Sequence, residues 1–272
     1  DIFKGPEWIV SEATMAWHWQ EAGLAERAAA YHIHAGRRAC YLSLHYEQVR
    51  LHFVRALELL ATLPTTPRRL RWEQACYHLV AWTWAMAKSW MAPEAGQAWR
   101  KSVERAEQIG DPLLVADALT FLSLYHRNSG ELGLAISLGE RAVTLAQGGL
   151  PGWVHWVEGN LAYALLLHGD IVRGVRLLAP LTEALQRTGA LPQPPLNIEL
   201  LAVVPGALWC LGYPDQALQV GQMALELVQR EESRIQIGID VLMICNAISL
   251  PSQLRGDVEG VEEALQMLRS LT

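Results

Sequence analysis

Nine histidines are the first residues of this chain whose chemistry could converge, and five of them, His18, His32, His34, His45 and His52, fall within the first 52 positions. Imidazoles held together would ligate a transition metal or relay protons. The spacing argues otherwise: on a helix His32 and His34 point about 200° apart, and His45 and His52 share a face two turns, or ~10 Å, apart. No metal site is expected. Carboxylates act as general acids and bases only where they converge in a pocket that shifts their proton affinity. Glu226, Glu231, Glu232, Glu262 and Glu263 stand instead among Arg and Gln on polar helix faces, the pattern of a solvated surface. Cys40, Cys76, Cys210 and Cys245 form no CxxC pair and read as packing thiols of a reducing compartment. Phosphate-loop, nucleophile-elbow and HExxH motifs are all missing from the sequence. The expectation is a chain that is not an enzyme and needs no cofactor.

The elements that would have to position any site follow from composition. Of the 272 residues, 51% are hydrophobic and 18% charged, too apolar for disorder and too poor in charge for a coiled coil. A net charge of −6 excludes holding a phosphate backbone by bulk charge, so no direct nucleic-acid binding is expected. The most apolar windows, Cys76 to Ala92, Leu196 to Leu211 and Ile237 to Leu250, are interrupted and shorter than the ~20 residues of a bilayer span. They read as buried helices of a cytoplasmic protein without membrane contact. The first residues, Asp1-Ile2-Phe3-Lys4, lack a signal peptide's basic start and a leading methionine, which suggests a piece of a longer polypeptide.

Self-similarity is the strongest signal in the chain. Glycines 23, 130, 169, 212 and 256 each stand in a short polar turn between two helical patterns, separated by 107, 39, 43 and 44 residues. The tetratricopeptide (TPR) pattern places small residues seven before and five after such a turn, where paired helices cross closely. Here they are Ala16 and Ala28, Ser123 and Ala135, Ala162 and Gly174, Pro205 and Ala217, Ser249 and Val261. Between the first two turns, helices are expected at about Ala25 to Tyr41, Tyr46 to Thr62, Arg69 to Lys88 and Pro93 to Ile109, with Pro93 and Pro112 in first turns. Pro180 and Pro205 should kink or break theirs. The predicted fold is all-α: roughly 12 to 14 helices, paired as TPR-like helix-turn-helix repeats in a right-handed superhelix. One solenoid domain is expected over 1–272, looser over 1–110 and regular over 111–272.

In a TPR pair, positions 2, 5, 9 and 12 of the first helix face the concave groove. Counted from the glycines, they include Asp117, Thr120, Leu124, Arg127, Trp156, Tyr163, Leu166, Glu199, Trp209 and Asn246; the helix of Trp82, Met86 and Trp90 extends the strip. Aromatic faces with a few polar anchors suit a peptide, a partner helix or a sugar ring, whereas the same tryptophans, 11 in all, could equally fill volume between helices.

Two stretches carry a family likeness. Trp17-His18-Trp19-Gln20-Glu21-Ala22-Gly23-Leu24-Ala25-Glu26-Arg27-Ala28, continued by Tyr31, Ala35-Gly36 and Ala56-Leu57-Glu58-Leu59-Leu60-Ala61-Thr62-Leu63-Pro64, resembles the start of the TPR region in large bacterial signal-transduction ATPases. Leu208-Trp209-Cys210-Leu211-Gly212-Tyr213-Pro214-Asp215-Gln216-Ala217-Leu218 is similar to their later repeats. In that family the repeats follow an ATPase linked to a nucleotide cyclase, a LuxR-type helix-turn-helix or an activator domain. The resemblance implies a sensor or scaffold region of a bacterial signalling or transcriptional regulator. Its partner would be a protein or peptide, or the ATPase domain of the same polypeptide. The related region of the maltose-regulon activator, which binds its inducer sugar, implies a small-molecule effector as the alternative.

Overall fold

The structure, a computed structural model, describes residues 12–42, 45–188, 204–230 and 262. Eleven helices occupy them: α1 (Glu12–Glu21), α2 (Ala25–Leu42), α3 (Tyr46–Ala61), α4 (Pro67–Ala87), α5 (Pro93–Ile109), α6 (Pro112–Asn128), α7 (Leu132–Ala146), α8 (Pro151–His168), α9 (Ile171–Thr188), α10 (Val204–Cys210) and α11 (Pro214–Arg230). No strand occurs among the described residues. The expected starts at Pro93 and Pro112 hold. Proline also opens α4 and α8, where its missing N–H is one no helix could use. The hydroxyl oxygen of Thr66 accepts from the Arg69 N–H at 3.2 Å to cap α4. Asp111 accepts from Leu113 and Leu114 at 3.1 and 3.4 Å to cap α6. Of the five turn glycines, Gly23, Gly130, Gly169 and Gly212 take φ of 69, 80, 94 and 85°, where a side chain is strained. Gly256, Ser249 and Val261 lie outside the described residues.

The chain divides into two compact units, residues 1–130 and 131–272. In the first, each helix from α2 to α6 packs on its predecessor. In the second, α7 packs on α8 and α8 on α9, while α10 and α11 pack together and both touch α9. Close crossings need small residues. Ala16, Ala28, Ala162 and Ala217 are fully buried, and a methyl on Gly174 would stand 2.6 Å from Leu166 and 3.1 Å from the Ala162 carbonyl. A methyl on Gly36 would stand 2.7 Å from the Phe53 ring, so α2 and α3 form an equally tight pair although the residues between them carry no glycine.

Helix order changes how the repeats are phased. The turns at Gly130, Gly169 and Gly212 follow α6, α8 and α10, whereas Gly23 follows α1, and three helices separate α2 from α6. Strict alternation cannot accommodate three. Counting back in twos from α6 puts α4 and α2 in its class, so the first glycine turn joins helices in the opposite order to the other three.

Pro180 does not break its helix, because α9 runs through it from Ile171 to Thr188. Pro180 and Arg176 are both exposed, so the Arg176 carbonyl that loses its partner turns to water instead of lying orphaned. Pro205 is helical within α10, and the residues immediately before Val204 lie outside the described ones.

Candidate functional site

The alternate helices α2, α4 and α6 together wall an open cleft of about 340 Å³ in the first unit. Arg37 and Cys40 come from α2, Gln74, Ala75, His78 and Leu79 from α4, and Leu114 and Asp117 from α6. Spacing explains the wall: 74, 75, 78 and 79 recur at three and four residues and share one face of α4, as do 37 and 40 on α2 and 114 and 117 on α6. A wider depression of about 690 Å³ lies at the α4–α5 connection, but one continuous stretch from Lys88 to Gln97 forms it, and Lys88 and Glu94 there pair with each other at 2.7 Å.

The cleft carries few free polar groups. Gln74 donates from Nε2 to the Ser102 hydroxyl at 3.1 Å and is committed to α5. Arg37 is exposed and faces the solvent at one side. His78 meets Phe121 edge to face at 4.4 Å; its Nδ1 is buried without a hydrogen-bond partner. Burial holds the His78 imidazole below its ordinary proton affinity, against a smaller opposite pull from the Asp117 carboxylate. It is neutral at physiological pH.

Cys40, His78 and Asp117 are the residue types of a nucleophile, a base and an orienting acid. Their environment opposes that chemistry: burial pushes the Cys40 thiol up to about 11, away from the reactive thiolate. Cys76, also buried, is pushed up to about 12. No group of three or more His, Cys, Asp or Glu able to hold a metal occurs among the described residues.

The residues expected from sequence separate into distinct settings. Asp117 lines the cleft. Trp82 and Met86 lie one and two turns beyond His78 on α4, half-buried, and the Trp82 ring meets Tyr46 of α3 edge-on at 5.5 Å. Trp90 stacks on Trp99 at 5.7 Å with 13° between planes. Thr120 is 1% exposed and donates to the Ala116 carbonyl at 2.8 Å, and Leu124 and Arg127 are buried as well. In the second unit Trp156 and Tyr163 on α8 and Trp209 on α10 are half-buried; Leu166, given a groove position by the repeat register, packs against Gly174 of α9. Glu199 and Asn246 lie outside the described residues. Sequence reasoning missed Arg37, His78 and Leu79, because it counted from turn glycines and the turns after α2 and α4 have none, and it missed Leu114, which stands three residues before the first groove position counted on α6. Helix parity was the signal that could have found them.

Sequence spacing also missed a contact between helices. His32 of α2 and His52 of α3 bring their Nδ1 atoms to 3.1 Å. Burial first, then the neighbouring His52 and Arg55, lower His32 from 6.5 to about 4, and burial lowers His52 too. With folded values below unfolded ones, the unfolded chain binds more protons, so stability present above about pH 6.5 is lost as pH falls from there toward 4. The urea midpoint is expected to drop between pH 7 and 5, and more steeply in the native chain than in His32→Gln/His52→Gln; equal slopes would overturn the assignment.

Paired antiparallel helices with small-residue crossings and left-handed turn glycines define an all-α protein of the TPR-like repeat class. No protein-family model and no curated protein matches the chain. Solved structures do. The apo form of RapI superposes with a TM-score of 0.63 at 12% identity, over 96% of this chain and 96% of that one. BtubC from P. vanneervenii gives 0.61 at 15% identity over 84% and 91%. A signal transduction ATPase with numerous domains carrying a tetratricopeptide repeat sensor, from Pyrococcus horikoshii, gives 0.57 at 13% identity over 95% of this chain and 41% of that one. No helix among the described residues is long and apolar enough to cross a membrane.

Proposed function

We propose that this chain is a non-catalytic recognition region of a bacterial cytoplasmic signalling or transcriptional regulator. Its cleft between α2, α4 and α6 takes a segment of a partner protein or of an ATPase domain in the same polypeptide. The observation that carries the reading is the cleft itself: three helices of one class contribute apolar walls, Ala75, Leu79 and Leu114, between separated polar groups. The Pyrococcus horikoshii ATPase, whose repeats are described as a sensor, supplies the regulatory context. Trp156, Tyr163 and Trp209 are proposed as further contact residues in the second unit.

The test is selection of peptides from a displayed library on the full chain, followed by Leu79→Glu and Leu114→Glu. Each charge placed on an apolar wall is expected to weaken the selected peptides about tenfold or more, while the urea midpoint stays near that of the native chain. Unchanged binding by both folded variants would remove the cleft from the reading. A volume of about 340 Å³ also lies within the range of small-ligand sites, which favours an effector as the second reading. A thermal-shift screen of sugars and nucleotides, with stabilisation lost in His78→Phe, would establish it in place of a peptide.

A further inference from the structure

We infer that the cleft takes an internal acidic segment of the partner, its carboxylate side chains held by Arg37 and Arg71 and an apolar side chain seated on Leu79 and Leu114. The inference rests on the peptide reading above and supplies its chemistry. The three helices that wall the cleft carry seven arginines against three carboxylates, Glu26, Glu73 and Asp117, in a chain whose net charge is −6. Each of those carboxylates is engaged: Glu26 pairs with Arg68 at 3.0 Å, Glu73 holds Arg69 and Arg105 at 2.6 Å, and Asp117 has an interaction partner of its own.

Most of the arginines are engaged as well. Arg38 reaches Glu12 of α1 at 4.0 Å, Arg27 lies over the Trp19 ring at 4.7 Å, and Arg127 is buried with a partner. Arg37 and Arg71 alone of the seven make no hydrogen bond, ion pair or ring contact among the described residues, and both are exposed. Arg37 lines the α2 wall, and Arg71 stands one turn before Ala75 on the face that α4 turns to the cleft. A negative occupant gives both a partner without taking one from the fold, whereas a positive occupant meets no carboxylate left to pair. Between them Gln74 is held by Ser102, and Leu79 and Leu114 offer the apolar seat.

Fluorescent peptides capped at both ends, with leucine flanked on each side by Glu, by Gln or by Lys, test the proposal on the full 272-residue chain. The Glu peptide is expected to bind the native chain about tenfold more tightly than the Gln peptide, and the Lys peptide more weakly than either. Arg37→Gln and Arg71→Gln, both surface changes that leave the fold intact, should each narrow the Glu-over-Gln preference about threefold, and the double variant should abolish it. Arg100→Gln on α5, outside the cleft, should leave the preference unchanged. Equal Glu and Gln binding by the native chain, or a preference that survives in the double variant, would overturn this inference and leave the peptide reading standing where Leu79→Glu still abolishes binding. Binding confined to peptides with a free C-terminal carboxylate would likewise overturn the internal placement. Failure of all three peptides together with library-selected ones would overturn both.

Discussion

Glu73→Ala is expected to cost about 3–5 kcal/mol of stability, among the largest losses of any single substitution in the first unit. Glu73 lies on α4 with 4% of its surface exposed. One carboxylate oxygen accepts from Nε of Arg69, a turn away on the same helix, and the other from Nε of Arg105 on α5, each at 2.6 Å. Arg69 also donates to the Leu63 carbonyl, fastening the chain that leads into α4, and the Arg105 guanidinium lies over the Tyr77 ring at 5.9 Å. Removing the carboxylate therefore leaves two mostly buried cations facing each other across the α4–α5 seam. The exposed pair Arg173 and Glu140, also 2.6 Å apart but with side chains 47% and 45% exposed, is the internal contrast: Glu140→Ala is expected to cost about 1 kcal/mol or less. Urea denaturation decides the matter, and comparable losses at the two sites would refute the assignment of Glu73 as a seam-closing anion.

Trp99→Ala carries a similar penalty, about 3–5 kcal/mol, for a different reason. Its ring is fully buried and stacks on Trp90 at 5.7 Å and Phe121 at 6.3 Å, with Tyr125 tilted against it at 6.2 Å. The neighbouring Gly96 exists to admit Tyr125, whose ring occupies the place a Cβ would take. Alanine at 99 would leave a void lined by aromatic faces that the helices cannot close. Trp99→Phe should lose clearly less, because it keeps a ring in the stack and removes an indole N–H that is buried without a partner. Denaturant titration followed by near-ultraviolet circular dichroism reads both changes. A Phe variant as unstable as the Ala variant would show that the indole N–H finds a partner after all. The cleft would register the loss too, since His78 rests on Phe121 and Phe121 on Trp99.

Packing separates residues that the repeat register groups together. Trp90, expected as a groove residue, has its ring on Trp99, and Thr120 has its hydroxyl turned back to its own helix, while Asp117 of the same register meets the cleft. A helical register gives the face on which a side chain stands, yet neighbours on either side of that face decide whether it is reached by solvent. On α6, residues 120, 124 and 127 face packed protein, and 117 faces an opening, although all four follow one spacing.

What the sequence by itself determined is the local and periodic part: helices with their proline and glycine punctuation, small residues where paired helices cross, and an all-α repeat class. Those features depend on backbone preferences and on contacts between adjacent helices, which a linear pattern records. Only the tertiary structure decided the rest. It set the parity that groups α2, α4 and α6, the meeting of His32 with His52, the double pairing of Glu73, and the cleft in which Arg37, His78 and Asp117 stand together. His32 and His52, Glu73 and Arg105, and the outermost cleft residues Arg37 and Asp117 stand 20, 32 and 80 positions apart on different helices. Their encounter depends on how many helices intervene and how they stack, and no spacing along the chain encodes that.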